Sequence, residues 1–251
     1  MIRIDDVQTD PERKLAFVIG CGRSGTHLVG YILRSYPEMR VTIEKTPIFD
    51  WVTAMALNPA RKATLFPRLV RQYQLLRSLA SPRHYADKSH PNIWLAEDLA
   101  AAFPQALFIG IQREPFATVA SMLRHGGILD WHRRRGEFPV PNDFLGINTE
   151  DIEQYEQLSS PTKCALRWKS HAKKMEDLKS VLKRRLHVIG YEDLVRDSQS
   201  EIQKLVDFLG LSMPTKLPEI KTESLDRWRL ELSDEICVEI ERVTGLSPDN
   251  S

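Results

Sequence analysis

The chain has 251 residues, 42% of them hydrophobic and 27% charged, which fits one globular domain with a sizeable core. Lys and Arg total 35 against 34 for Asp and Glu, a formal net charge of +1, so the composition holds no general attraction for nucleic acid. No apolar run approaches the roughly 20 residues of a membrane span, Met1–Asp6 lacks the apolar core of a leader, and Cys21, Cys164 and Cys237 are far apart, odd in number and not in metal-ligand spacing, which speaks against a disulfide framework or zinc site, so a cytoplasmic enzyme is expected.

The first predicted element is a buried strand over residues 15–20. It runs into Gly20-Cys21-Gly22-Arg23-Ser24-Gly25-Thr26-His27. An amphipathic helix follows over 25–36, with Leu28, Val29, Ile32, Leu33 and Tyr36 on one face and Pro37 as its stop. A strand, a Gly-rich turn and a helix N-terminus together offer an anion several backbone N–H groups and the positive end of a helix dipole. Arg23 adds a planar fork of donors for phosphate or sulfate oxygens. The loop is not a Walker A, because Thr26 rather than Lys follows Gly25. It reads as a grip for a phosphorylated ligand that is not hydrolysed as a nucleoside triphosphate.

A short strand is expected over Met39–Ile43, ending beside Glu44, then mostly helix over 49–80. Tyr85-Ala86 reads as a short strand before Asp87-Lys88-Ser89-His90-Pro91, and 92–102 as a helix. A buried strand over 106–111 leads to Gln112-Arg113-Glu114-Pro115 and a helix to about His125. Pro115 suits a first helical turn, and Ser121, eight residues beyond Arg113, falls on a face that can return to the same anion. Residues 126–162, with Gly-Gly, three prolines and Trp131-His132-Arg133-Arg134-Arg135, read as a long irregular insertion. In the basic run Lys169–Arg185, Met175, Leu178 and Leu182 mark the inner side of a solvated helix. A strand over 186–189 precedes Tyr191-Glu192-Asp193-Leu194. Ser198 and Glu201 form a capping box for a helix ending near Gly210, and a last helix spans about 233–245. Trp168 and Trp228 read as packing aromatics.

Strands alternating with helices predict an α/β fold with a central parallel sheet and helices on both faces. Ligands bind such sheets at the carboxyl ends of the strands. Arg23, Glu44, Lys88, Arg113 and Tyr191 all follow predicted strands, so one crevice collects them.

With these motifs in this order, the chain resembles the sulfotransferases that use 3′-phosphoadenosine-5′-phosphosulfate (PAPS). The resemblance covers most of the chain. It is nearer the tyrosylprotein, Golgi and bacterial type than the small cytosolic phenol and steroid type. It implies a three-layer P-loop NTPase-like fold, a single domain over 1–251, and 126–162 on the substrate side. Cys21, Gly22, Arg23, Ser24, Gly25, Thr26 and His27 then correspond to the loop for the 5′-phosphosulfate, and Arg113 with Ser121 to the 3′-phosphate motif. Tyr85–Ser89 is similar to the family's central lysine segment. Tyr191 is similar to its tyrosine near the adenine, and Arg227, Trp228 and Arg229 to a late loop folded over the nucleotide. The implied reaction is in-line transfer of a sulfuryl group to a hydroxyl or amine of a small molecule or carbohydrate. It leaves adenosine 3′,5′-bisphosphate and needs no metal. A P-loop small-molecule kinase and a non-catalytic nucleotide-binding module are the competing classes.

Lys88 is expected to neutralise charge on the leaving oxygen, with Arg23 holding the 5′ end. Two residues compete as base. Glu44 lies 21 residues after Arg23, the separation found in tyrosylprotein sulfotransferases, and desolvation can tune a crevice carboxylate toward neutrality. His90, in Lys88-Ser89-His90, resembles the base of the cytosolic branch, but Pro91 follows it directly, so helix entry is its other reading. His27 either meets the donor's phosphate end or faces the sheet as a satisfied half-buried histidine.

Overall fold

Leu15, Phe17 and Ile19 of strand β1 (Leu15–Gly20) point to one face of the sheet, Ala16 and Val18 to the other, and all are buried. Both faces are therefore covered, which is why the strand reads as a continuous apolar run rather than an alternating one. This computed structural model describes residues 13–149, 152–214 and 216–248; the reading of Met1–Asp6 lies outside them.

In chain order, β1 is followed by α1 (Thr26–Arg34), β2 (Met39–Ile43), α2 (Ile48–Leu57), α3 (Lys62–Ala80), β3 (His84–Lys88), α4 (Ala96–Ala102), β4 (Leu107–Gln112), α5 (Pro115–Leu123) and α6 (Gly126–Arg133). Then come α7 (Ile152–Tyr155), α8 (Ser160–Leu182), β5 (Leu186–Gly190), α9 (Tyr191–Arg196), α10 (Ser198–Leu209) and α11 (Asp234–Thr244). The sheet is parallel, in the order β2-β3-β1-β4-β5. On one face, Phe17 and Ile19 pack with Val52 of α2, Tyr73 of α3, Leu99 of α4 and Met175 of α8. On the other, Val18 packs with Ile32 of α1, Leu194 of α9 and Leu205 of α10. The three-layer α/β architecture is the one expected from the alternation of strands and helices.

Local chemistry moves several boundaries. The helical stretch 49–80 is two helices, parted at Asn58, whose side chain accepts from Ala60 N while Pro59 opens a 3₁₀ turn. Residues 90–95 form a 3₁₀ turn ahead of α4. The cap of α10 is Asp197, which accepts from Ser200 N at 3.1 Å, so the proposed Ser198–Glu201 box is shifted by one residue. Residues 126–162 are less irregular than expected. They hold α6, α7 and the start of α8, and Ala56, Leu57, Phe144, Leu145, Ile147 and Tyr155 share a small core of their own. Asn142 ties this segment down by donating to Leu57 O at 2.9 Å.

Candidate active site

Parallel strands place their carboxyl ends on one edge. Val18 and Ile43 both stand in register with Lys88, and Glu44 N donates to Lys88 O at 2.8 Å. The loop after β1, Glu44 after β2 and Lys88 at the end of β3 therefore meet. β4 and β5 extend the same edge to Arg113 and Tyr191.

The loop 20–26 is built for close approach. Gly25 has φ +93°, and a Cβ there would lie 2.4 Å from the Tyr191 ring. Gly22 leaves room for the His90 ring, whose Nε2 would lie 2.9 Å from a Cβ. Arg23 has φ +78° and Glu44 φ +44°; two non-glycine residues in the left-handed region are strained positions of the kind that gather at functional sites. Gly25→Ala is expected to cost on the order of 1–3 kcal/mol, from backbone strain and the collision with Tyr191. Calorimetry would read this as a Tm lowered by several degrees; an unchanged Tm would remove the requirement for glycine.

Lys88, fully buried, is the centre of the site. Its Nζ donates to Glu44 Oε1 and, at 3.0 Å, to His27 Nδ1. Lysine only donates, so His27 Nδ1 accepts and the ring proton sits on Nε2, 3.6 Å from Glu44 Oε2. His90 Nδ1 stands 2.9 Å from Glu44 Oε1, and donates to it because a carboxylate only accepts. Oε1 thus takes two partners, while among the described residues Oε2 has only the long approach of His27. Burial alone would raise the Glu44 carboxyl, but the His90 hydrogen bond and the charges of His90 and Lys88 outweigh it and hold its pKa at about 2. The expected tuning toward neutrality is corrected: Glu44 is firmly ionised. Burial pushes His90 down to about 4 and pulls Lys88 below its ordinary value, opposed in each case by Glu44. His90 also opens the 3₁₀ turn over 90–95 without capping it, and His27 faces this cluster rather than the sheet.

Below Lys88, Asp87 is buried and accepts from Thr42 Oγ1 at 2.7 Å, Tyr73 OH at 2.9 Å and Asn92 Nδ2 at 3.1 Å. Burial raises its pKa to about 6, and this network fixes the end of β3.

On the other side of the loop, Arg23 Nε donates to Ser121 Oγ at 3.1 Å, joining the two anion motifs. Glu114 caps α5 by accepting from Phe116 N at 2.8 Å and Ala117 N at 2.6 Å. Arg113 lies over the Tyr191 ring, 4.2 Å from its centroid. Tyr191 is therefore a platform for Arg113 and a wall beside Gly25. Trp228 stacks on Phe116 at 5.0 Å, a packing role, with Arg229 over its outer face. Arg227 is 3.6 Å from Glu231, which also binds Arg124. Arg229 is drawn toward Asp226 and Pro248 O. The Cys21 side chain turns inward, away from the loop's open face, and takes a hydrogen bond from Arg167.

The family model for the sulfotransferase family matches residues 16–215. The chain belongs to the sulfotransferase family. No curated protein sequence matches it. Its fold is similar to the sulfotransferase domain from the curacin biosynthetic pathway, with TM-score 0.62 and 16% identity over 93% of this chain and 96% of that one. It is also similar to the sulfotransferase domain of the Synechococcus PCC 7002 olefin synthase, with TM-score 0.57 and 17% identity over 93% and 94%. The sulfotransferase from Alicyclobacillus acidocaldarius gives TM-score 0.53 and 17% identity over 94% and 98%. At such identities the likeness speaks for the fold.

Two residues of this sulfotransferase crevice escaped the sequence reading. Arg124 and His125 lie one helical turn beyond Ser121, so the i+3 and i+4 spacing could have found them. Arg124 joins the cationic group of Arg23, Arg113 and Arg227, and His125 lies within electrostatic reach of Arg23 and Glu44. Among the described residues no His, Cys, Asp and Glu cluster is arranged to hold a metal, and no helix is long and apolar enough to cross a membrane.

Proposed function

We propose that this sulfotransferase transfers a sulfuryl group from PAPS to a hydroxyl or amine of a small-molecule or carbohydrate acceptor. The observation that carries this is the Lys88–Glu44–His90–His27 cluster beside the anion loop, with Arg23 bridging to Ser121. The residues fit the donor. The glycines leave the loop backbone open, and Arg113, Arg124 and Arg227 supply cations for a second anionic group. PAPS, when bound, supplies an activated sulfuryl group on a phosphate leaving group.

The chain's own residues divide the remaining work. Arg23 and the N–H groups of Ser24, Gly25 and Thr26 orient the 5′ end, and Arg113 and Ser121 hold the 3′-phosphate. Lys88 stabilises negative charge at the leaving oxygen. Glu44 Oε2 takes the acceptor proton, while His90 steers Oε1 and holds the carboxylate in place. Lys88 is bonded to Glu44, so drawing its charge toward a leaving group makes Glu44 a stronger base at the moment it is needed.

Adenosine 3′,5′-bisphosphate should raise the Tm more than 5′-AMP or ATP at equal concentration, since ligand binding to the folded state adds stability by mass action. Equal shifts for the bisphosphate and 5′-AMP would remove the 3′-phosphate role of Arg113 and Ser121. A larger shift with ATP would favour a kinase.

A further inference from the structure

Arg167 of α8 is fully buried, yet among the described residues no carboxylate pairs with it. Its Nη1 donates to Cys21 Sγ at 3.2 Å, while Nε and Nη2 have no partner. These two N–H groups form one edge of the guanidinium, the edge that takes two oxygens of a planar oxyanion side-on. The group lies 4.5 Å from the Phe144 centroid and 5.7 Å from that of Trp131. Aromatic faces offset part of the cost of burying a cation, but leave the fork unsatisfied.

The surroundings are neutral or cationic. His90 and His132, both buried and within electrostatic reach of Arg167, each have an unpartnered Nε2. His132 Nδ1 pairs with Tyr155 OH at 2.6 Å. His171 is occupied at both nitrogens, by Arg167 O at 2.8 Å and Trp94 Nε1 at 3.1 Å. One unpaired positive charge suits a monoanion; a dianion would be left half-balanced. The place also touches the reacting groups, because Cys21 belongs to the anion loop and His90 binds Glu44.

We infer that Arg167 is the recognition point for a carboxylate on the acceptor, making this a sulfotransferase of acidic hydroxyl or amine compounds. The inference rests on the sulfuryl-transfer reading of the crevice. Arg167 is fully buried beside Trp131 and Phe144, so a carboxylate reaches its fork only when the segment carrying Trp131, His132 and Phe144 moves aside. His132 then offers a hydrogen bond to the polar body of the acceptor.

The test measures binding to the protein saturated with adenosine 3′,5′-bisphosphate, at constant ionic strength in chloride. Acetate, benzoate and glucuronate are compared with acetamide, benzamide and glucose. The wild type should bind each acid at least about tenfold more tightly than its neutral partner. Arg167→Met should erase that preference while keeping or raising the Tm, because it replaces an unpaired buried charge with an apolar chain. Should that variant not fold, Arg167→Lys, which keeps the charge and loses the fork, should retain only part of the preference. Equal binding of acids and neutral partners by the wild type overturns the inference, as does an acid preference that survives Arg167→Met or is undiminished in Arg167→Lys. A preference for PAPS over the bisphosphate that disappears in Arg167→Met also overturns it, assigning the fork to the donor's sulfonate. Failure of the bisphosphate itself to bind would instead count against the sulfuryl-transfer reading.

Discussion

Replacing Lys88 with alanine is expected to lower kcat for sulfuryl transfer by on the order of a hundredfold or more, the scale for losing one preorganised donor to developing negative charge. The ammonium is fully buried at the end of β3 and held by Glu44 Oε1 and His27 Nδ1, so no neighbour can move into its place. Affinity for adenosine 3′,5′-bisphosphate, measured by calorimetry, should change far less than turnover, because Arg23, Ser121 and the loop backbone remain. A variant with near-normal kcat would show that Lys88 serves only to neutralise Glu44.

Glu44→Gln is expected to cost on the order of a hundred- to ten-thousand-fold in kcat, the range for general-base catalysis, while sparing donor binding. The amide keeps the shape and loses the proton acceptor. His90→Asn should cost less, because His90 is buried between Phe49 and Gly22 and acts through Glu44 rather than on the acceptor. A greater loss in His90→Asn than in Glu44→Gln would transfer the base to His90. Stability gives a second readout. The Glu44 pKa of about 2 lies below the roughly 4.3 of an unfolded glutamate, so its stabilising contribution is present above that value and lost as the pH falls through about 2. The Tm gap between wild type and Glu44→Gln should therefore close as the pH is lowered from about 5 toward 2.

The anion loop was legible because its chemistry is local. Glycines where a side chain would strike Tyr191 or His90, and a helix starting at Thr26, leave their mark in a few consecutive residues. Arg113, Pro115 and Ser121 were legible likewise, since nearly two turns of helix carry Ser121 back toward the loop. The contest between Glu44 and His90 could not be decided from spacing. Both belong to one hydrogen-bonded cluster, and what separates them is burial: His90 lies under the loop while Glu44 keeps an oxygen toward the crevice. The ionisation of Glu44 was misjudged because desolvation was weighed without the two donors on Oε1.

Taken alone, the sequence determined the five strands, most of the helices between them but not α6 and α7, and the set of residues that follow strand ends. Apolar runs, glycines and prolines act on the backbone within a few residues of themselves. Only the tertiary structure decided the order β2-β3-β1-β4-β5 and the register that sets Glu44 beside Lys88. It alone placed Trp228 on Phe116, and Arg167, two residues ahead of the expected solvated run, under the loop at Cys21. These contacts join segments far apart in the chain. They arise when helices from both sides cover the sheet and bury their inner faces, and no local pattern records which distant side chain will lie opposite.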